Sequence, residues 1–228
     1  MKRFAIYFAP PEDSPLSRLA TAWLGRDAFD PFSHSAPDPP RNGFSREVWR
    51  AATSDPRLYG FHATLKPPFA PLVSDAQIIE RTEEFAATHQ SFLAPPPQVA
   101  SLSSFVALTL SAPCPALDSL AADCVRDFDS FRAPPSEAEL TRRRRSRLTP
   151  KQLDYLVRWG YPYVFDEWRF HMTLSSSLEP TLFPIFTAHL QSLFAPHCQA
   201  PIAVDSICLF EQPEAGEPFH VRERFRLA

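Results

Sequence analysis

A five-residue phrase, Phe-His-x-Thr-Leu, occurs twice in the chain, as Phe61-His62-Ala63-Thr64-Leu65 and as Phe170-His171-Met172-Thr173-Leu174. Side chains alternate faces along an extended strand, so each copy read as a strand offers an imidazole and a hydroxyl to one side and anchors itself with Phe and Leu on the other. The two histidines stand 109 positions apart in 228 residues, close to half the chain. Two similar lobes facing one another would bring both pairs to a shared cleft.

The elements between the two copies fit that picture. Arg3 to Ala9 alternates as a strand, and Ser14-Pro15 reads as an N-cap followed by proline at the first helical position, with an apolar stripe running to Gly25. Residues 27–42 read as a loop, and Phe44 to Ala52 as a short helical turn with Trp49 inward. Leu58 to Leu65 is the first motif strand, which Lys66-Pro67-Pro68 should stop. Ser74 with Gln77 forms a capping box for a helix reaching about His89. Gln98 to Leu102 and Phe105 to Ser111 read as strands joined by Ser103-Ser104, and Leu117 to Phe131 as a helix. Ser136 with Glu139 and Thr149 with Gln152 supply two further capping boxes, the second opening a helix that ends at Gly160. Arg169 to Ser175 is the second motif strand, Leu182 to Phe194 a helix, and Ile202 to Phe210 and Phe219 to Leu227 a final strand pair. The order suits antiparallel sheets with helices on the outer face, an α+β arrangement. Twenty-six prolines against five glycines, with 20 phenylalanines, indicate a folded chain with stiffened turns, because disordered chains are poor in phenylalanine.

If both phrases are strands, Lys66 shares the face of His62 and Thr64, while Arg169 and Ser175 share that of His171 and Thr173. Each half then sends one imidazole, one hydroxyl and one cation into the same space, an inventory matched to a phosphodiester with charged non-bridging oxygens. One histidine can deprotonate an attacking water while the other protonates the leaving oxygen. No metal is needed for this, and the sequence holds no H-E-x-x-H or Cys/His cluster. Cys114, Cys124, Cys198 and Cys208 show no C-x-x-C spacing and read as reduced structural thiols. No Gly-rich phosphate loop is present, so ATP is not expected as a cofactor. The net charge of −3 argues against a whole surface built for nucleic acid, a local basic groove apart, no DNA partner is expected, and the absence of a secretory or membrane-spanning run points to a soluble cytoplasmic protein.

These motifs with their surroundings resemble the two-histidine (2H) phosphoesterase superfamily, which includes RNA ligase-like 2′,3′-cyclic phosphodiesterases. Tyr59-Gly60 ahead of the first motif, Arg132-Ala133-Pro134, and Trp159-Gly160-Tyr161-Pro162-Tyr163-Val164 ahead of the second resemble its bacterial branch associated with phosphonate metabolism (DUF1045-like). The resemblance implies a single bilobal domain over residues 1–228, two antiparallel β lobes with outer helices around a central cleft. It further implies His62 and His171 as the general acid/base pair, with Thr64 and Thr173 holding phosphate oxygens. Substrates of this class are cyclic phosphodiesters: a small phosphorylated metabolite such as a ribose cyclic phosphate, a cyclic nucleotide, or an RNA end. The second motif is followed by Ser175-Ser176-Ser177 and lacks a cation equivalent to Lys66, a role open to Arg169. Tyr7 and Tyr59 are candidates to line the cleft. The basic run 142–147, with Arg143 and Arg144, is a candidate lid over an anion, or else a solvated face. The remaining histidines, His34, His89, His189, His197 and His220, have no repeated context. The alternative to an enzyme is a non-catalytic binding protein for a phosphorylated metabolite or RNA end.

Overall fold

A computed structural model describes residues 1–30, 43–135, 140–141 and 148–228. The capping box at Ser136 and Glu139, and the run containing Arg143 and Arg144, lie outside the described residues.

The fold is α+β, with a seven-stranded and a two-stranded antiparallel sheet flanked by helices. The large sheet contains β1 (Arg3–Phe8), β2 (Ala63–Phe69), β4 (Pro97–Leu102), β5 (Phe105–Leu110), β6 (Met172–Thr173), β8 (Ser206–Gln212) and β9 (His220–Arg226), in the order β4-β5-β6-β2-β1-β8-β9. Strands β3 (Phe92–Ala94) and β7 (Ile202–Val204) form the small sheet. The large sheet has two halves. Four strands from the chain's beginning and end, β2-β1-β8-β9, meet three from its middle, β4-β5-β6, at a seam where the only register pair is Ala63 opposite Met172. The two lobes expected from the sequence are these halves, and each carries one copy of the repeated phrase to the seam.

Alternation along β1 organises both faces. Phe4, Ile6 and Phe8 point into the main core with Trp23, Phe85, Phe186 and Phe194, beneath the helices Pro15–Leu24, Asp75–Thr88 and Phe183–Phe194. Ala5 and Tyr7 point the other way, into a smaller cluster with Cys208, Phe210 and Phe219, against which Tyr59 packs. Helix starts follow the sequence. Ser14, Ser74 and Thr149 each accept a hydrogen bond from a backbone N–H in the first turn, and the last two form complete capping boxes.

Several elements depart from the sequence expectations, the second motif strand among them, which forms a ladder only at Met172–Thr173. Residues Ser54–Tyr59 are a short helix, so the first motif strand begins only at Ala63, after Gly60. That strand then continues through Pro67 and Pro68 to Phe69. Its register against β1 slips twice, pairing Tyr7 with Thr64, Ile6 with Lys66 and Phe4 with Phe69, and bulges of this kind accommodate residues that cannot donate to the ladder. Finally, the expected strand Ile202 to Phe210 breaks at Asp205, and its two parts join different sheets.

Candidate active site at the seam between the sheet halves

The antiparallel pairing of Ala63 with Met172 sets the geometry of the two phrases. Extending that register by one residue each way puts His62 across from Thr173 and Thr64 across from His171, all on the face opposite the core side of Ala63 and Met172. Diagonal neighbours on such a face lie about 7–8 Å apart at Cα, which is the relation of His62 to His171.

Both imidazoles are anchored in the same way. His62 Nδ1 lies 2.9 Å from the carbonyl of Gly60, and His171 Nδ1 lies 2.9 Å from the carbonyl of Arg169, two residues upstream in each case. A carbonyl only accepts, so Nδ1 carries a proton in both rings and Nε2 is the nitrogen left for proton exchange. Thr64 Oγ1, 3.3 Å from His62 Nε2, donates to it. Gly60 makes the first anchor feasible. Its φ of +79° lies in the region where glycine carries no penalty, and a Cβ there would come 2.5 Å from that of Ala28.

His62 sits on an aromatic bed. The Tyr7 ring stacks on it with centroids 3.8 Å apart, and Phe210 and Tyr59 follow at 5.9 and 6.1 Å. Burial here pushes its pKa down to about 4, against the raising effect of the Gly60 carbonyl, and the nearby His171 lowers it further. His62 is therefore a neutral ring across the physiological range. Burial likewise pushes the Tyr7 phenol well above its ordinary value, so it stays protonated.

A pocket of about 360 Å³ opens beside these groups, lined by His62, Thr173, Tyr59, Phe105, Asp55, Pro56 and the run Ser175-Ser176-Ser177. His171 stands at its margin, its ring 6.0 Å from that of Phe105. Of the candidates, His62, Tyr59 and Thr173 line this space, while Thr64 and the buried Tyr7 touch the His62 ring. Asp55, Phe105 and the three serines were not singled out as site residues from the sequence. Ser175 was placed on the face of His171 and Thr173, the other two serines were visible only as a missing cation, and nothing in the sequence links Asp55 or Phe105 to the motifs.

The two expected cations lie elsewhere. Lys66 is 1% exposed and turned to the opposite face, because Leu65 is the extra residue of the bulge and the pairing resumes with Lys66 opposite the core residue Ile6. Its Nζ donates to the carbonyl of Val125 and to Asp129 Oδ1 at 2.9 and 3.1 Å, and burial pushes its pKa down to about 8. Arg132 Nε meets the same Asp129 oxygen at 3.0 Å. Arg169 is exposed and lines a separate pocket of about 430 Å³ with Trp168 and Thr109, so only its main-chain carbonyl serves the site. Among the described residues, no group of three or more His, Cys, Asp or Glu side chains converges as a metal site, and no helix is long and apolar enough to cross a membrane.

Residues 64–220 match the family described as "Protein of unknown function (DUF1045)". The chain belongs to the DUF1045 family. Two curated relatives carry the name "Ribose 1,5-bisphosphate phosphokinase PhnN". The protein from Janthinobacterium sp. (strain Marseille) is 36% identical over 225 residues, and that from Laribacter hongkongensis (strain HLHK9) is 33% identical over 228. Each alignment covers 96% of this DUF1045 chain but 49% and 50% of the relative, so the chain spans about half the length of the curated relatives it matches. Among solved structures, E. coli LigT complexed with NADP+ aligns over 100% of this chain and 98% of its own, at 15% identity and a TM-score of 0.47. A structure titled as a phosphoesterase aligns over the same shares at 13% identity and a TM-score of 0.49. Likenesses this distant do not bear on the chemistry of the DUF1045 site.

Proposed function

We propose that this protein is a metal-independent phosphoesterase that opens a cyclic phosphodiester by two-histidine acid/base catalysis. One observation carries the reading: the two H-x-T phrases occupy neighbouring strands, and matching Nδ1–H bonds to carbonyls two residues upstream make Nε2 the nitrogen of each ring that can exchange a proton. His62, held neutral by its aromatic bed, takes a proton from the attacking water. His171, in its protonated form, gives one to the departing ester oxygen. The water oxygen bonds to phosphorus as the ring P–O bond breaks, and a phosphomonoester results. With Lys66 and Arg169 turned elsewhere, the Thr173 hydroxyl is the group of the two phrases left to donate to a non-bridging oxygen, the Thr64 hydroxyl being engaged with His62.

The organic part of the substrate is a ribose, free or within a nucleotide or RNA end. The names of the curated relatives favour a phosphorylated ribose. Opening the 1,2-cyclic phosphate of ribose 5-phosphate at O2 leaves phosphate on O1, and the product is ribose 1,5-bisphosphate, the compound named in those relatives' activity. The decisive assay follows ³¹P resonances of 5-phosphoribosyl 1,2-cyclic phosphate and of 2′,3′-cyclic AMP with the wild-type chain, His62→Ala and His171→Ala. Conversion of a cyclic ester to a monoester by wild type, absent in both variants, is the expected result. Turnover of neither ester, with binding retained, would replace the enzyme by a binding protein, and undiminished turnover by either variant would refute the mechanism.

A further inference from the structure

The seam that brings the two histidines together is thin. One register pair joins β2 to β6, whereas β1 with β8 and β4 with β5 run through five and six paired positions. Something besides the ladder must hold one phrase against the other to the accuracy that proton transfer demands.

Trp168 occupies the position where this can be done. Its indole Nε1–H donates to the carbonyl of Thr64 at 2.7 Å, spanning 104 residues of sequence from one phrase to the other. Thr64 is the residue whose hydroxyl meets His62 Nε2. On the other side, the residue peptide-bonded to Trp168 is Arg169, whose carbonyl receives His171 Nδ1–H. A continuous path therefore runs from one catalytic ring to the other: His62 Nε2, the Thr64 hydroxyl, the Thr64 carbonyl, the Trp168 indole, the Arg169 carbonyl and His171 Nδ1. Each link is a hydrogen bond or a short piece of covalent chain. Trp168 is half-buried and packs against the main core, which fixes its ring in place.

We propose that Trp168 is the positioning residue of the two-histidine site, setting the spacing and angle between His62 and His171 through its bond to the Thr64 carbonyl. The inference rests on the reaction proposed above for its kinetic consequence, though not for its geometric one. A neighbouring tie differs in kind. Ser176 accepts from the Asp55 N–H at 2.9 Å and its own N–H meets the Ala52 carbonyl at 2.7 Å, joining the segment after the second phrase to the helices before the first, without touching either ring's anchor.

Trp168→Phe keeps an aromatic ring and removes only the donor. Trp49→Phe removes an indole bond of the same kind, 2.7 Å to the Trp23 carbonyl and touching neither histidine nor its anchoring carbonyl, and serves as the control for simple loss of stability. We expect Trp168→Phe to lower kcat about ten- to a hundredfold, the range that an ångström of misplacement produces, with KM within about twofold of wild type. Trp49→Phe should lower Tm and leave kcat unchanged. A second readout needs no substrate. NMR titration of the histidine ring protons should show the His62 midpoint rising by about half a pH unit in Trp168→Phe, as the ring loosens from its bed and from the like charge of His171, and staying put in Trp49→Phe. An unchanged His62 titration in a folded Trp168→Phe chain overturns the inference, as does a fall in kcat of equal size in both variants. If the wild-type chain hydrolyses no cyclic ester, the proposed reaction fails, and the titration alone still decides the role of Trp168.

Discussion

The neutrality of His62 has a consequence for stability that can be measured without any substrate. Its pKa stands at about 4 in the folded protein, against an ordinary value of about 6.5 once unfolded. As pH falls from neutrality the unfolded ensemble takes up the proton first, so the contribution of this ring is fully present above about 6.5 and is lost progressively down to about 4. Between pH 7.5 and pH 5 the linkage relation with these two values gives a loss of about 2 kcal/mol. His62→Gln supplies the comparison. The amide can still donate to the Gly60 carbonyl, has comparable bulk and does not titrate. Urea unfolding of both proteins at pH 7.5 and pH 5 yields four free energies, and the difference of differences removes every other titrating group and the pH-independent effect of losing the stack on Tyr7. We expect wild type to lose about 2 kcal/mol more than His62→Gln over this interval. Equal losses within about 0.5 kcal/mol would mean that His62 titrates as an exposed histidine does, and the assignment of His62 as the resting base would fall with it.

Three further outcomes follow from the same geometry. Asp129→Ala should cost about 3–5 kcal/mol in urea unfolding, because it strands the buried Lys66 ammonium, whereas Lys66→Met should cost far less and leave kcat near wild type, the reverse of what a catalytic lysine would show. Gly60→Ala forces a positive φ on a residue with a side chain and drives its Cβ into Ala28, so a loss of about 2–4 kcal/mol in unfolding free energy is expected, together with reduced kcat as the carbonyl anchoring His62 shifts. Hydrolysis measured after dialysis against EDTA should match the untreated rate, and a loss restored by a divalent cation would contradict acid/base catalysis by the two imidazoles alone.

What the sequence made legible was whatever local chemistry decides alone. Ser74 with Gln77 and Thr149 with Gln152 cap helices where the residue pattern placed them, because a side chain three positions from its partner needs no help from the rest of the fold. The repetition of Phe-His-x-Thr-Leu marked both copies as strands of interest, but not that Ala63 would pair directly with Met172. The errors arose where backbone groups are engaged by distant side chains. Period-2 alternation carried past Thr64 puts Lys66 beside the histidines, yet one extra residue at Leu65 turns Lys66 to the other face, and the partner that rewards the turn, Asp129, lies 63 positions away.

The second phrase makes the same point from the backbone. Read as a strand from Arg169 to Ser175, it forms a ladder only at Met172 and Thr173. The Arg169 carbonyl is taken by the His171 ring, the Leu174 carbonyl by the Trp23 indole at 2.8 Å, and the N–H groups of Leu174 and Ser175 both meet the carbonyl of Val106. Groups that would otherwise extend the sheet are committed to orienting a side chain or to joining the halves. A regular strand would satisfy more of the ladder, but the carbonyl two residues before each histidine would then be in competition with a neighbouring strand for its donor. The shortness of the seam is thus the structural condition for anchoring two imidazoles by Nδ1, and it explains why a hydrogen bond from outside the ladder, such as that of Trp168, is needed to keep the two phrases in register.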